Sequence, residues 1–147
     1  MAERSAATGQ HKKAFAERTA SALRSQKLIA FIGTRDPARA KAFYRDTLGL
    51  KLVTEDQFAL VFDAGGTMLR VTPVQQLAAA NYIVLGWQVT DIVRTAEELQ
   101  QAHVAFERYP GMRQDELVIW NSPSGDRVAW FRDPDGNTLS VTQFQGL

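Results

Sequence analysis

Residues 36–50, DPARAKAFYRDTLGL, contain the start, the body and the end of one helix. Either Asp36 or the preceding Thr34 can accept a hydrogen bond from the first turn, and Pro37 suits the first helical position because it has no N–H to lose. Apolar side chains at helical spacing continue to about Thr47. Gly49 then stands where a left-handed residue commonly ends a helix. The stretch therefore predicts a capped helix with a defined end.

A strand precedes this helix and three strands follow it, and the same pattern then starts again. In the first unit, strands are predicted over residues 28–33, 51–54, 58–63 and 67–72. In the second unit, strands are predicted over residues 82–89, 104–109, 117–121, 127–132 and 138–144. Asp91 occupies the place of Asp36, 55 residues further on, and His103 occupies the place of Gly49. This is a weak internal repeat of a β-α-β-β-β unit.

Neither unit is long enough to bury much core alone, since domains of about 60 residues are already marginal. We therefore predict a single α+β domain over residues 28–147, in which two modules, residues 28–73 and residues 82–144, pack together. Residues 1–27 are predicted to form a basic N-terminal extension that is flexible or helical.

Alternation along the strands separates two sets of side chains. Leu69 and Val71 point to one side of their strand, so Arg70 points to the other. In residues 138–142 the hydroxyl side chains likewise share one face. Glycine, hydroxyl and amide groups on that second face predict a cavity with a few polar groups. A face that is simply solvated is the alternative that the pattern leaves open.

The composition limits the chemistry. The chain has no cysteine and two histidines, His11 and His103. Thiolate chemistry is therefore excluded, as is a metal site with two histidines from the domain. Residues 28–147 carry a net charge of −3, against +4 for residues 1–27, and an acidic body disfavours nucleic-acid binding. No apolar run reaches the ~20 residues of a membrane span, and residues 1–27 lack the apolar core of a secretory signal. We expect a cytoplasmic protein.

Two motifs, residues 43–50 (FYRDTLGL) and residues 130–137 (WFRDPDGN), occur in this order within the repeated pattern. They resemble the motifs of the vicinal oxygen chelate superfamily, which includes glyoxalase I, bleomycin-resistance proteins, fosfomycin-resistance enzymes and extradiol dioxygenases. The resemblance covers residues 28–144. It implies two β-α-β-β-β modules whose curved mixed sheets form one cupped cavity.

The resemblance also implies where a metal ion would be held. Metal-dependent members place His or Glu at cavity-facing strand positions, and those positions are occupied here by Ile29, Arg70, Val84 and Ser140. Aliphatic side chains have no donor atoms, and a guanidinium repels a cation. We therefore expect no bound metal and no other cofactor, and metal-dependent glyoxalase or dioxygenase activity is disfavoured.

Without a metal, the predicted cavity works by shape, stacking and a few polar groups. We predict a small-molecule binding protein, similar to bleomycin-resistance members, that holds a flat aromatic or anionic ligand. The predicted ligand-binding residues are Phe31, Met68, Arg70, Gln88, Trp120, Trp130 and Ser140. Of the adjacent pair Trp130 and Phe131, the resemblance favours Trp130 as the one that faces the cavity.

Two other functions stay open. One is an enzyme of the same superfamily, a lyase, isomerase or dioxygenase-like protein, whose catalytic residues the motifs do not reveal. The other is an interaction module whose cavity is filled by side chains. No catalytic residue is assigned, and no nucleic-acid or membrane partner is expected. The modules can pair within one chain or across a homodimer.

Arg70 has two interpretations, because an unpaired buried charge is very unfavourable. Its guanidinium either clamps a carboxylate, enolate or phosphate of a ligand, or forms an ion pair with Glu55, Asp63 or Asp126.

Overall fold

The structure, a computed structural model, describes residues 21–146 and contains two modules in sequence. The first module holds β1 (Ile29–Thr34), α1 (Pro37–Lys41), a π-helical continuation (Ala42–Thr47), β2 (Lys51–Glu55), β3 (Leu60–Ala64) and β4 (Thr67–Pro73). The second module holds β5 (Ile83–Gln88), α2 (Ile92–Gln101), β6 (Trp120–Asn121), β7 (Arg127–Arg132) and β8 (Thr138–Gln143). Of the predicted N-terminal extension, residues 1–20 lie outside the described residues, and residues 21–25 form turns.

Each module forms its own four-stranded mixed sheet. The strand orders are β1-β4-β3-β2 and β5-β8-β7-β6. In each sheet the first strand pairs in parallel with the last, and the other pairs are antiparallel. A parallel pair cannot be joined by a tight hairpin, and the intervening helix and strands make the connection. The predicted α+β fold of two β-α-β-β-β modules is confirmed, and the two sheets do not close into a barrel.

Both helices begin as the sequence predicts. The Asp36 side chain accepts a hydrogen bond from the Arg39 N–H at 3.2 Å, and the Asp91 side chain accepts one from the Arg94 N–H at 3.1 Å. Both aspartates are extended, with φ near −140°. Each side chain thus satisfies one of the free N–H groups of a helix start.

The end of the first helix differs from the prediction of a uniform helix. From Ala42 to Thr47 the helix is wound as a π-helix, and the Leu48 N–H bonds to the Phe43 carbonyl. Tyr44 in this segment is fully buried. Gly49 follows with a φ of 76°, so the predicted left-handed end is confirmed. His103 at the matching end of α2 has the same conformation, with a φ of 69°.

The predicted strand over residues 104–109 is wrong, and that over residues 117–121 is reduced to β6. In this segment the side chain of Gln114 takes the place of a neighbouring strand. Its amide nitrogen donates to the carbonyls of Glu107 and Val118, and its amide oxygen accepts from the Tyr109 N–H. These three backbone groups are therefore satisfied without a sheet partner. Residues 104–109 touch the sheet through a single bridge.

One hydrophobic core joins the two modules. Leu69 and Phe62 of the first sheet belong to the same buried cluster as Phe131 and Leu139 of the second. Asn137 adds a polar link, because its side-chain amide donates to the Gly33 carbonyl at 3.1 Å. In residues 21–146, no helix combines the length and the apolar character needed to cross a membrane.

Candidate ligand-binding site

The outer surface of the first sheet carries three of the predicted site residues. Phe31 lies directly beside Arg70, and Ile29 lies beside Met68, across the β1–β4 pair. Phe31 is 64% exposed and Met68 is 42% exposed. The intervening Leu69 faces the core and is buried. We call the surface formed by Ile29, Phe31, Met68 and Arg70 the module-1 face.

Arg70 is a half-buried cation with no close counter-ion. Within residues 21–146 its guanidinium makes no hydrogen bond or ion pair. Its charge acts at a distance on Asp56. The pKa of the Asp56 carboxyl is lowered mainly by the N–H groups of Phe58 and Ala59, and more weakly by Arg70.

The three acids proposed as ion-pair partners of Arg70 are engaged elsewhere. Glu55 pairs with Lys41 at 2.7 Å. The Asp63 carboxylate accepts the Gly66 N–H at 2.8 Å. Asp126 accepts the N–H of Gln145 at 2.9 Å. The structural interpretation of Arg70 therefore has no partner among the residues expected to supply one.

The outer surface of the second sheet carries the other four predicted site residues. Ser140 lies in register between Gly86 on β5 and Trp130 on β7. One step along the sheet, Thr142 lies between Gln88 and Val128, and Trp120 of β6 pairs with Val128. We call the surface formed by Gly86, Gln88, Trp120, Trp130 and Ser140 the module-2 face.

An aromatic cluster stands on the module-2 face. The Trp130 ring lies 5.9 Å from the Trp120 ring, at 37°, and 5.4 Å from the Tyr109 ring, edge to face. The neighbouring Phe131 is fully buried in the core, so Trp130 is the member of that pair on the open side. Tyr109 belongs to no strand, so strand alternation does not define the direction of its side chain.

The seven predicted residues therefore form two groups on two separate sheets. Phe31, Met68 and Arg70 lie on the module-1 face, and the remaining four lie on the module-2 face. The structure brings the members of each group together, but the two sheets do not enclose both groups in one barrel. Each face thus presents its own set of side chains.

Sequence reasoning missed a groove at the other side of the module junction. It has a volume of about 490 Å³ and is lined in part by Phe43, His103, Glu107 and Arg132. Arg132 and Glu107 pair at 3.4 Å within it. Since these residues come from an irregular segment and from different modules, no local pattern in the sequence could have grouped them.

The residue types at the four expected metal positions do not fit a divalent cation. Ile29 and Val84 offer no donor atom, Arg70 is itself a cation, and Ser140 supplies a single neutral hydroxyl. Within residues 21–146 no group of three or more His, Cys, Asp or Glu side chains is placed to hold a metal ion.

Comparison with known proteins agrees with the fold. The family model for the Glyoxalase/Bleomycin resistance protein/Dioxygenase superfamily matches residues 28–141. The chain is also 30% identical to the uncharacterized protein YraH of Bacillus subtilis, over 72% of this chain and 88% of that protein. The chain therefore belongs to the glyoxalase/bleomycin-resistance/dioxygenase superfamily, as its motifs indicated.

Two solved structures illustrate the range of this fold. A lactoylglutathione lyase from Agrobacterium tumefaciens superposes with a TM-score of 0.64 at 21% identity, over 81% of this chain and 93% of that one. A bleomycin-binding protein in complex with bleomycin superposes with a TM-score of 0.63 at 21% identity, over 82% of this chain and all of that one. These similarities show a shared fold and leave the activity to the site itself.

Proposed function

We propose that this protein binds a small molecule without a metal ion, and that the ligand is flat, aromatic or anionic. The observation that carries the proposal is Arg70, a half-buried guanidinium on an open sheet face with no ion-pair partner among residues 21–146. A guanidinium in that state is well suited to a carboxylate, sulfonate or phosphate, which it can engage with two parallel hydrogen bonds.

The neighbours of Arg70 support an aromatic ligand. Phe31 lies beside it on β1, and Val61 lies beside it on β3, so the charge sits in an apolar row. Apolar walls around a few polar groups are the usual composition of a ligand pocket. The tryptophans of the module-2 face offer a second surface for stacking.

We propose that a homodimer completes the site. The module-1 face exposes Phe31 at 64% and Met68 at 42%, and Val84 on β5 is 37% exposed. A second copy of the chain would cover these apolar side chains. Sedimentation equilibrium tests this, and a chain that stays monomeric at all concentrations overturns it. We also propose a cytoplasmic protein with no nucleic-acid or membrane partner. The net charge of −3 on residues 28–147 disfavours binding to a polyanion such as a nucleic acid.

The experiment uses two dyes that differ by one charge. 1-Anilinonaphthalene-8-sulfonate carries a sulfonate, and N-phenyl-1-naphthylamine has the same rings without it. We expect Arg70→Met to lower the affinity for the sulfonate dye at least tenfold, because a charge-assisted bidentate contact is lost. The affinity for the neutral dye should change by less than about twofold. Arg70→Lys should give an intermediate loss, since it keeps the charge and loses the fork.

Arg39→Met is the matched control, because Arg39 is exposed on α1 and lies away from both faces. It should leave both dyes unchanged. Equal loss of both dyes in Arg70→Met, or an unfolded Arg70→Met protein by circular dichroism, would show that Arg70 is a structural residue and would overturn the proposal. Bleomycin, the ligand of one structural neighbour, is a second probe for the same variants.

The alternative is an enzyme of the superfamily with catalytic residues that are not yet recognised. Metal analysis of protein purified without chelator separates the two. Near-stoichiometric nickel, zinc, iron or manganese would support the enzyme and contradict the proposal of metal-independent binding.

A further inference from the structure

The Ser140 hydroxyl on the module-2 face has no use in the fold itself. Ser140 is 3% exposed, and its hydroxyl makes no hydrogen bond with any residue in the range 21–146. In that range, every side-chain oxygen or nitrogen that is wholly shut off from solvent has a partner. The Ser140 oxygen therefore keeps a small opening to solvent. Since no side chain in the described part of the fold uses it, this hydroxyl is available to a ligand that enters through the opening.

The opening lies above Gly86. A Cβ atom built on Gly86 would stand 2.9 Å from the Ser140 oxygen, closer than such contacts are normally tolerated. Gly86 is exposed and has no positive φ, so the backbone there does not itself require glycine. The absent side chain is what leaves the hydroxyl accessible from the open side of the sheet.

The other side of Ser140 is aromatic. Trp130 is its direct neighbour on β7, and such cross-strand pairs bring side chains about 5 Å apart. Trp130 in turn packs against Trp120 and Tyr109. A flat ring that lies against this cluster would therefore have its edge next to the Ser140 hydroxyl.

We infer that the module-2 face is a subsite for a planar aromatic group that carries a hydrogen-bonding substituent on its edge. Trp130 and Trp120 supply the stacking surface, and the Ser140 hydroxyl forms a hydrogen bond with the substituent. Gly86 has no side chain, so the ligand can reach that hydroxyl. The inference rests on the proposed function and deepens it, because it assigns to the second face a chemistry that is independent of Arg70.

The experiment compares phenol with benzene, which have the same ring and differ by one hydroxyl. Binding to the full-length chain is followed by NMR of the tryptophan indole N–H signals. The signals of Trp120 and Trp130 should move. Trp87 is the internal control, since it stacks on Phe131 on the core side of the sheet, and its signal should stay in place and also report that each variant is folded.

One hydrogen bond implies that phenol binds about fivefold more tightly than benzene. Ser140→Ala should bring the ratio of the two affinities close to one, because it lowers the affinity for phenol alone. Gly86→Ala should do the same by blocking the hydroxyl, and Trp130→Ala should weaken both compounds. Ser25→Ala, at a serine that lies beside the module-1 face and not on the module-2 face, should keep the ratio.

A ratio that Ser140→Ala and Gly86→Ala leave unchanged overturns the inference, as does equal movement of the Trp87 signal. The dye experiment on Arg70 is read separately. If the sulfonate dye binds through Arg70 but phenol and benzene bind with equal affinity, the proposed function stands and the proposal of this subsite is wrong. If neither dyes nor rings bind, both fail.

Discussion

The hydroxyl of Tyr44 donates a 2.7 Å hydrogen bond to the Asp133 carboxylate, 89 positions further along the chain. Tyr44 is fully buried and Asp133 is 6% exposed. The Asp133 carboxylate also accepts from the Asp135 N–H and from both the backbone and the side chain of Asn137. The two family motifs thus contribute the two sides of one contact between the modules, which explains why they identify the fold.

Tyr44→Phe should lower the free energy of unfolding by about 1–3 kcal/mol, because it removes one donor from a buried carboxylate. Urea unfolding followed by circular dichroism measures this. Tyr82→Phe is the control, since Tyr82 is 69% exposed, and we expect less than about 0.5 kcal/mol there. Equal effects from the two variants would contradict a special role for the buried contact.

The same contact makes stability depend on alkaline pH. Burial, and then the Asp133 charge and hydrogen bond, raise the pKa of Tyr44 well above its usual value of 10.0. Above about pH 10 the Tyr44 phenol loses its proton in the unfolded chain and keeps it in the folded protein. The folded state therefore binds more protons, and stability falls as the pH rises. The contribution of Tyr44 is fully present below about pH 10 and decreases by up to ~1.4 kcal/mol per pH unit above it.

Unfolding of the wild type and of Tyr44→Phe at pH 9, 10 and 11 checks this dependence. The destabilisation caused by Tyr44→Phe should shrink as the pH rises, because the variant has no phenol to titrate. A difference that stays constant over these three pH values would refute the assignment.

The two helix ends predict opposite effects of glycine exchange. His103 has a φ of 69°, a conformation that is unfavourable for a residue with a Cβ, so His103→Gly should stabilise the protein by about 0.5–1 kcal/mol. Gly49 has a φ of 76° and nothing within 4 Å of a built Cβ. Gly49→Ala should therefore destabilise by about 1 kcal/mol through the backbone alone. Thermal unfolding of both variants measures these effects. Shifts of the midpoint with the same sign would contradict the preference for glycine at both positions.

Gln114 is expected to hold residues 104–119 in place. Gln114→Ala leaves three backbone groups without their partner and should destabilise by about 2–3 kcal/mol. It should also speed amide hydrogen exchange in this segment and loosen Tyr109 from Trp130. Gln100→Ala, at an exposed position of α2, should change neither measurement. Unchanged exchange in Gln114→Ala would mean that the segment is held by its apolar contacts.

The features that the sequence predicted are those that depend on neighbours along the chain. Asp36 and Asp91 cap their helices within three residues, and the alternation in β4 alone places Arg70 opposite to Leu69. The π-helical turn around Tyr44 could not be predicted in this way, because it is set by packing between distant segments. The residues after α2 escaped prediction for a similar reason.

The candidate site was predictable to the same extent. Strand phase assigned the residues of each face, including Trp130 over Phe131 with the help of the family motif. Whether the two faces meet depends on how two sheets, or two chains, are placed relative to one another. Nothing in the local pattern of β4 or β8 encodes that placement.

Successive side chains of β4 and β8 point to opposite faces of their sheets, so odd-numbered and even-numbered residues have different surroundings. Positions 69, 71, 139 and 141 are buried in the core. Positions 68, 70, 140 and 142 lie on the opposite face of their strands, where Ser140 is itself buried at 3% exposure. Substitutions at the exposed even positions should therefore disturb the core less than substitutions at the odd ones. A library randomised at positions 68, 70 and 142 should yield mostly folded proteins, whereas position 140 should accept only small side chains because it is buried against Gly86.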